Sequence, residues 1–273
     1  MAAPSNADFV RQLAARVEAG EPAAVATVVR IHGSASARPG AKAVIDAHGR
    51  TVFGWVGGGC AETRVREEAL VAMREGTPRV IELDLDDEVL GVGMPCGGSM
   101  EVYIEPVLPA PKLLLLGHGA IAETLARMAR QLEFRVTVND PLATAERFPT
   151  ADERILEDPE YAKLDCDADT WVVIATQHRG DYDALRAVLA AEPAYIGLIA
   201  SATRSALVLE RLREDGVDPA VLSHVRAPCG LDLAAATPQE IALSILSEIV
   251  QRRRGGSGGP LAEVRRAGGR TGE

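Results

Sequence analysis

The sequence predicts a mixed α/β fold, with a small N-terminal α+β domain followed by a Rossmann-like domain built on a parallel sheet. Three observations support this prediction. Strand-like β-branched runs crowd the first 107 residues, two prolines fall within Leu108–Pro111, and strands then alternate with helices. The chain of 273 residues is long enough for two domains. We therefore predict domains at residues 1–107 and 112–254.

The elements of the first domain follow from local patterns. Residues 5–19 carry apolar side chains four apart at Phe9, Leu13 and Val17, which predicts a helix. The run AVATVVRI at residues 24–31 predicts a buried strand. KAVID and TVFGW flank a turn at His48–Gly49 and predict a hairpin. A helix is expected over residues 62–73, followed by the strands PRVIELDL and SMEVYIEPV.

The second domain reads as repeated βα units, which indicate a parallel sheet. Its last helix begins at a capping box, Thr237 to Glu240, with proline at the first helical position. The segment 255–273 is rich in Gly and Arg and is predicted to be disordered. The predicted units, in chain order, are KLLLL, AIAETLARMARQ, FRVTVND, WVVIAT, DYDALRAVLAA, AYIGLI and TRSALVLERLRE.

Composition excludes several classes of protein. The net charge of -10 argues against non-specific binding of nucleic acid. No apolar run approaches the roughly 18 residues of a membrane span. The first residues lack the basic start and apolar stretch of a secretory signal, so a cytoplasmic location is expected. Four cysteines, none in a CxxC pair, predict neither a disulfide framework nor a structural zinc site, and no metal site is predicted.

A glycine turn in the second half predicts a nucleotide-type site. Residues 117–122, GHGAIA, match GxGxxA between a strand and a helix. Gly117 allows the tight turn, Gly119 lets backbone approach a phosphate, and the N–H groups of the helix start face an anion. His118 lies between these glycines. Asp140 ends the next strand, 23 residues after Gly117, where a ribose-binding carboxylate is expected. The alternative is a tight crossover with a solvated Asp140.

Polar residues also follow two later strands. Thr176, Gln177, His178 and Arg179 come after WVVIAT, and Ser201 comes after AYIGLI. Ligands bind at the carboxyl ends of the strands in an open α/β sheet, so these residues are candidate ligand contacts. His178 and Arg179 could hold a phosphate. The alternative for each residue is a solvated loop.

The first half sets two cysteines against glycine-rich backbone. Gly57, Gly58 and Gly59 precede Cys60 at a predicted helix start, where the helix dipole should lower the pKa of the thiol. Cys96 is followed by Gly97. Together with the cations Arg38 and Lys42, these residues predict a site for an anionic, sulfur-containing small molecule, in which Cys60 and Cys96 are the reactive groups. The alternative for a cysteine is a small buried apolar residue, which we favour for Cys166. Glu62 either stabilises the helix start or belongs to this site.

The chain resembles the XdhC/CoxI family, including its CoxF-like branch, over about residues 8 to 254. The resemblance rests on these segments, in this order: GSASARPGAKAVI, GWVGGGCAE, MPCGGSMEVYIEP, KLLLLGHGAIAETLA, FRVTVNDP, YIGLIAS and TPQEIALSILSEIVQRR.

The resemblance implies a maturation factor, without catalysis of its own, for molybdenum hydroxylases such as xanthine dehydrogenase and carbon monoxide dehydrogenase. Such a factor binds molybdenum cofactor (molybdopterin, including its cytosine dinucleotide form), supports its sulfuration with a cysteine desulfurase-type donor, and delivers it to the apo-enzyme. The implied functional surface comprises Arg38, Gly40, Lys42, Gly57–Cys60, Glu62, Cys96 and Gly97. We expect a homodimer, because a chaperone must shield a reactive cofactor.

This sequence departs from the family pattern in its second half. The glycine turn is commonly G-A-G-H, whereas residues 117–120 read G-H-G-A. The usual G-S-R reads Ala200–Ala202, with Ser201 retained. The usual P-I-G-L reads Pro228–Leu231 as P-C-G-L, which adds Cys229 to the candidate cofactor-binding residues.

Two other functions fit the sequence. An NAD(P)-binding oxidoreductase would use the GxGxxA turn, and Asp140 would favour NAD. A thiol or sulfur-transfer enzyme would use Cys60 as its nucleophile, with a base among the five histidines.

Overall fold

The computed structural model describes residues 6–33, 35–84, 98–177 and 180–268. The chain divides into two compact units, Met1–Pro109 and Ala110–Glu273. The first contains an antiparallel sheet and the second a parallel sheet, which confirms the predicted fold class. No helix in the described ranges is long and apolar enough to cross a membrane.

The first unit is a five-stranded sheet with the order β3-β2-β1-β5-β4. One face is covered by α2, whose Ala61, Val65, Ala69 and Ala72 are buried against inward-facing strand residues. Its elements are α1 (Asn6–Ala19), β1 (Ala23–Gly33), β2 (Lys42–Asp46), β3 (Thr51–Gly54), α2 (Cys60–Glu75), β4 (Arg79–Asp84) and β5 (Gly98–Val107).

The predicted hairpin is the antiparallel pair of β2 and β3. Its turn is held by Asp46, whose carboxylate accepts hydrogen bonds from the N–H groups of His48 and Arg50, each at 2.9 Å. Asp46 is 3% exposed, and these bonds provide the partners that a buried carboxylate needs. The turn therefore fixes the register of the hairpin.

The second unit is a six-stranded parallel sheet with the order β8-β7-β6-β9-β10-β11, which is the Rossmann strand order. Helices α3 and α7 cover one face, and α4, α5 and α6 cover the other. Its strands are β6 (Lys112–Gly117), β7 (Arg135–Asn139), β8 (Glu153–Ile155), β9 (Thr170–Ala175), β10 (Tyr195–Leu198) and β11 (Val225–Arg226). Its helices are α3 (Ala120–Gln131), α4 (Asp181–Leu189), α5 (Ala202–Glu214), α6 (Pro219–Leu222), α7 (Pro238–Arg254) and α8 (Leu261–Gly268).

Four short elements of this unit were not predicted: β8, α6, β11 and α8. The first three have two to four residues, too few to show an apolar period. Helix α8 lies within the segment for which the sequence predicts disorder. It begins after Pro260, whose carbonyl accepts hydrogen bonds from the N–H groups of Glu263 and Val264. Leu261 is 71% exposed, so this helix contributes no buried apolar residue there.

Candidate functional site

The Rossmann unit has a cavity of about 600 Å³ at the carboxyl edge of its sheet. It lies at the topological switch point of the sheet. There β6 is flanked by β7 on one side and by β9 on the other, so the strand order reverses. Its lining is mostly apolar and comes from the ends of β6, β9 and β10, the loop before α7, and α7 itself. The lining residues are His118–Ile121, Ala175, Gln177, Ile199–Ser201, Pro228, Cys229, Pro238, Ile241 and Ile245.

The glycine turn is required by close packing. Gly117 has φ +123°, and a Cβ there would overlap the backbone carbonyl of Ala175 on β9. Gly119 has φ +101° and precedes α3 without a side-chain cap. Ala122 is fully buried, which allows α3 to approach the sheet. The first N–H groups of α3 are therefore available to an anion at the rim of the cavity.

His118 and Asp140 form a pair. Nδ1 of His118 lies 2.9 Å from Oδ2 of Asp140, at the end of β7. The N–H of Leu142 donates to the other carboxylate oxygen of Asp140 at 2.7 Å. His118 lines the cavity, whereas Asp140 is not among its lining residues. The sequence placed both residues in the site separately and did not predict their contact.

A polar network holds the ends of β9 and β10. Thr176 is buried and donates to Oδ1 of Asp181, the first residue of α4. Nε of Arg204 donates to Oδ2 of Asp181 at 3.1 Å. Ser201 caps α5, because its hydroxyl accepts a hydrogen bond from the N–H of Arg204. Ser201 is one of the residues that line the cavity, whereas Thr176 is not. His178 lies outside the described residues.

Cys229, a free cysteine, is one of the residues that line the cavity. Burial, followed by the negative charge of Glu248, raises the pKa of this thiol to about 12. Glu248 is itself buried and accepts hydrogen bonds from the hydroxyl of Tyr195 and from the N–H of Gly230, both at 2.7 Å. The carboxylate therefore anchors the loop that carries Cys229. Sequence reasoning missed Tyr195 and Glu248; the available signal was a carboxylate beside the apolar stripe of α7.

Two glycine-rich segments of the first unit, the loop after β1 and Gly57–Gly59, lie at the same end of its sheet as Gly98, the first residue of β5. Because every neighbouring pair of strands is antiparallel, β1, β3 and β4 end at the edge where β2 and β5 begin. Gly33 at the end of β1 pairs with Gly98 at the start of β5. The loop with Arg38 leaves β1 there, and β3 leads there to Gly57–Gly59. Cys96 and Gly97 lie outside the described residues, just before β5.

The start of α2 is built on glycine. Gly59 is its N-cap, with φ +61° and no side-chain cap, and Cys60 is the first helical residue. Within residues 6–33, 35–84 and 98–109 of this unit, no atom lies within 4 Å of a Cβ built at Gly58 or Gly59. Gly57 has φ +134°, and a Cβ there would make ordinary contacts with Ala61 and Met100. The first N–H groups of this helix thus have open space around the preceding glycines.

The three charged residues predicted for the site of this unit, Arg38, Lys42 and Glu62, lie in different places. Arg38 is exposed in the loop between β1 and β2 and has no side-chain partner in the described part of the chain. Lys42 lies on the sheet face opposite to α2, where its Nζ donates to Oγ1 of Thr27 at 2.9 Å and stands over the ring of Phe9. Glu62 accepts a hydrogen bond from Oγ1 of Thr51 at 2.7 Å, which ties α2 to β3.

The fold defines a two-unit protein that combines an antiparallel unit, whose helix α2 begins after glycines, with a Rossmann unit. The model of the XdhC and CoxI family matches residues 16–84, and the model of the XdhC Rossmann domain matches residues 113–249. The chain belongs to the XdhC and CoxI family.

Three relatives illustrate this membership. The uncharacterized protein YqeB of Escherichia coli is 35% identical over 245 residues, which are 87% of this chain. The chain spans only 45% of the length of YqeB. A protein of Bacillus subtilis described as a probable xanthine dehydrogenase subunit is 25% identical, covering 90% of this chain and 98% of that protein. The molybdenum cofactor insertion chaperone PaoD of Escherichia coli is 27% identical, covering 86% of this chain and 84% of PaoD.

Among solved structures, a xanthine dehydrogenase from Bacillus halodurans superposes with a TM-score of 0.49 and 23% identity. The match covers 90% of this chain and 96% of that one.

Proposed function

We propose that this chain is a maturation factor that binds molybdenum cofactor and inserts it into a molybdenum hydroxylase, with xanthine dehydrogenase and carbon monoxide dehydrogenase as candidate clients. One observation carries the proposal: the chain aligns with 84% of the length of a molybdenum cofactor insertion chaperone and contains both domains of the family.

The geometry of the Rossmann unit fits the nucleotide end of such a cofactor. The cavity of about 600 Å³ falls in the size range of small-molecule sites. Its rim carries the uncapped N-terminus of α3, which suits a pyrophosphate. Its apolar walls, including Ile121, Ile199 and Ile241, suit a base. These features support binding of the cytosine dinucleotide form of the cofactor.

The geometry of the first unit fits the anionic, sulfur-containing end. The open glycines before α2 allow a ligand to approach backbone N–H groups, and Arg38 is exposed in a loop at the same edge of the sheet. In this proposal Cys60 and Cys96 contact the molybdenum end or carry sulfur received from a cysteine desulfurase. We further expect the chain to act as a homodimer.

The test is to identify the cofactor on the purified protein. The chain is expressed in a host that makes molybdenum cofactor, denatured and oxidised, and the extract is analysed for the fluorescent pterin and for CMP. We expect pterin at a substantial fraction of protein, with CMP beside it. Chain without pterin that also fails to take up isolated cofactor would contradict the proposal.

Variants test the role of the cysteines. Cys60→Ala and Cys96→Ala should retain less pterin than the wild type, while Cys166→Ala, a half-buried cysteine of the Rossmann unit, serves as the matched control. Unchanged pterin in both of the first two variants would remove these cysteines from the mechanism.

One observation favours a second function. The Rossmann strand order with a GxGxxA turn is also the architecture of NAD(P)-binding oxidoreductases. Bound NAD(P) in the same extract, without pterin, would support that function instead. Rapid alkylation of Cys60 with neither ligand present would support a thiol or sulfur-transfer enzyme.

A further inference from the structure

The Rossmann turn of this chain carries a histidine in an unusual arrangement. His118 stands between two glycines with positive φ, at the point where α3 begins, and its ring reaches the end of β7. The pair therefore links the two places where a Rossmann unit contacts phosphates and ribose.

Asp140 is poorly placed to bind a ribose directly. Both of its carboxylate oxygens already accept from protein groups, Oδ2 from His118 and Oδ1 from the N–H of Leu142. Its side chain is 13% exposed, and it does not line the cavity. Each carboxylate oxygen keeps a second lone pair, but a carboxylate that binds ribose hydroxyls must line the cavity that holds the ligand, and the carboxylate of Asp140 does not.

His118 is better placed than Asp140 to contact a ligand. Its side chain is 23% exposed and lines the cavity. Nδ1 faces Asp140, and Nε2 has no protein partner within the described ranges. In the doubly protonated ring both nitrogens donate, Nδ1 to the carboxylate and Nε2 to an anionic oxygen.

The cavity has few other cationic groups. The described residues that line it include neither Lys nor Arg. The donors at its rim are the N–H groups of the glycine turn and of α3, the neutral side chains of Gln177 and Ser201, and the ring of His118. Among these lining residues, His118 is therefore the ionisable basic side chain that a phosphate bound at the helix start would meet.

We propose that His118 contacts the phosphates of a nucleoside diphosphate group bound in this cavity, and that Asp140 is a positioning residue that holds the ring rather than a direct ribose ligand. This inference rests on the proposed function in one respect, since the diphosphate would be the nucleotide end of the cofactor.

The test measures binding of CDP and ADP to the full chain by calorimetry. His118→Ala and Asp140→Ala should each weaken binding about tenfold, as expected for a hydrogen bond to a charged group. Because Asp140 acts through His118, the double variant should also lose about tenfold rather than a hundredfold. Glu153→Gln, an exposed carboxylate at the start of β8, is the control and should bind like the wild type.

Two ligand analogues separate a positioning role from a direct one. The loss in Asp140→Ala should persist with 2′,3′-dideoxycytidine diphosphate, which lacks the ribose hydroxyls, and should vanish with cytidine, which lacks the phosphates. A loss that vanishes with the dideoxy compound would mean that Asp140 reads the ribose and would overturn the inference. Losses that multiply in the double variant would overturn it as well.

Asp140→Asn provides a second variant should Asp140→Ala unfold, because the amide oxygen can still accept from the N–H of Leu142. It should bind CDP better than Asp140→Ala while keeping the wild-type response to the dideoxy analogue. Wild-type chain that binds neither CDP nor ADP would also overturn the inference. The pterin assay does not depend on this result, so a failure here is distinguishable from a failure of the proposed function.

Discussion

Two helix starts in this protein look alike in sequence and differ in structure. Helices α2 and α3 both begin after glycine, and neither has a side-chain cap. Gly117 before α3 is surrounded by protein, since a Cβ there would overlap the carbonyl of Ala175. A Cβ at Gly58 before α2 would meet no atom of the described residues within 4 Å, and Gly58 does not have a positive φ. Packing explains the first glycine; the described residues do not require the second, which the proposed function assigns to close approach of a ligand.

The largest effect is expected at Gly117. Gly117→Ala places a methyl group against the backbone of β9 at a φ that L-residues avoid, so the Rossmann unit should lose about 3 kcal/mol or more of unfolding free energy. Urea denaturation measures the loss. Gly216→Ala, at φ +88° with no atom within 4 Å, is the control and should lose only about 1 kcal/mol. Equal losses in the two variants would refute the packing explanation.

The second prediction compares the alkylation rate of the cysteine at the start of α2 with the rates of the cysteines in the Rossmann unit. Burial raises the pKa of Cys166 to about 11 and that of Cys229 to about 12, so both thiols hold little thiolate at neutral pH. The sequence predicts a reactive thiol at Cys60, the first residue of α2, so we expect iodoacetamide to alkylate Cys60 more than about 100-fold faster than Cys229. Mass spectrometry of timed samples measures the rates.

The alkylation rate of Cys229 should also depend on pH in a defined direction. Because the pKa of Cys229 is raised, its thiolate and its alkylation rate should still increase about tenfold with each pH unit up to about 11. Comparable rates for the two residues at neutral pH would remove the chemical distinction between the regions.

Gly58→Ala should change the stability of the protein little but should clearly lower the amount of bound pterin. Gly58→Ala should change the unfolding free energy by less than about 0.5 kcal/mol, because its Cβ meets nothing. Bound pterin should nevertheless fall about tenfold, which corresponds to the loss of one close backbone contact. Gly20→Ala, also in open space at the end of α1, should retain wild-type pterin. Full retention in Gly58→Ala would argue against backbone approach at α2.

A modest effect on stability alone is expected at α7, which begins with a side-chain cap, unlike α2 and α3. Oγ1 of Thr237 accepts from the N–H of Glu240, while the carboxylate of Glu240 accepts from the N–H groups of Ala236 and Thr237. Thr237→Ala should cost the Rossmann unit about 1 kcal/mol in urea denaturation. A loss near zero would mean that solvent replaces the cap.

The same cap has a defined pH dependence. The backbone hydrogen bonds hold the pKa of Glu240 below its usual value. Its contribution is therefore present above the unfolded-state pKa and lost as pH falls through the lowered folded-state value. Glu240→Gln should reduce this acid dependence while leaving the hydroxyl cap of Thr237 in place.

The fold was predictable because its long elements carry a clear apolar period. The sequence placed α3 at its observed bounds, since it starts at a glycine turn and its apolar residues repeat on one face. Strands β8 and β11 have three and two residues, and their place in the sheet depends on pairing with β7 and β10. Tertiary context alone creates such strands.

The site was predictable only in part. The glycine turn and the polar residues after β9 and β10 follow from the rule that ligands bind at the carboxyl ends of parallel strands. The contact between His118 and Asp140 depends on how closely β6 and β7 bring their ends together, and no local pattern records it. Glu248 was not predicted as a site residue, because the sequence of α7 shows only the apolar periodicity of an ordinary amphipathic helix.

The strand orders of the two units have a consequence for synthesis on the ribosome. In the Rossmann unit β6 emerges first, and every later strand finds a neighbour that already exists. In the first unit β4 pairs only with β5, and β1 keeps one edge open until β5 arrives, because Ala23 pairs with Val107. Nascent chains that stop before β5 therefore expose one edge of β1 and leave β4 unpaired, and both are sites for aggregation and for chaperones.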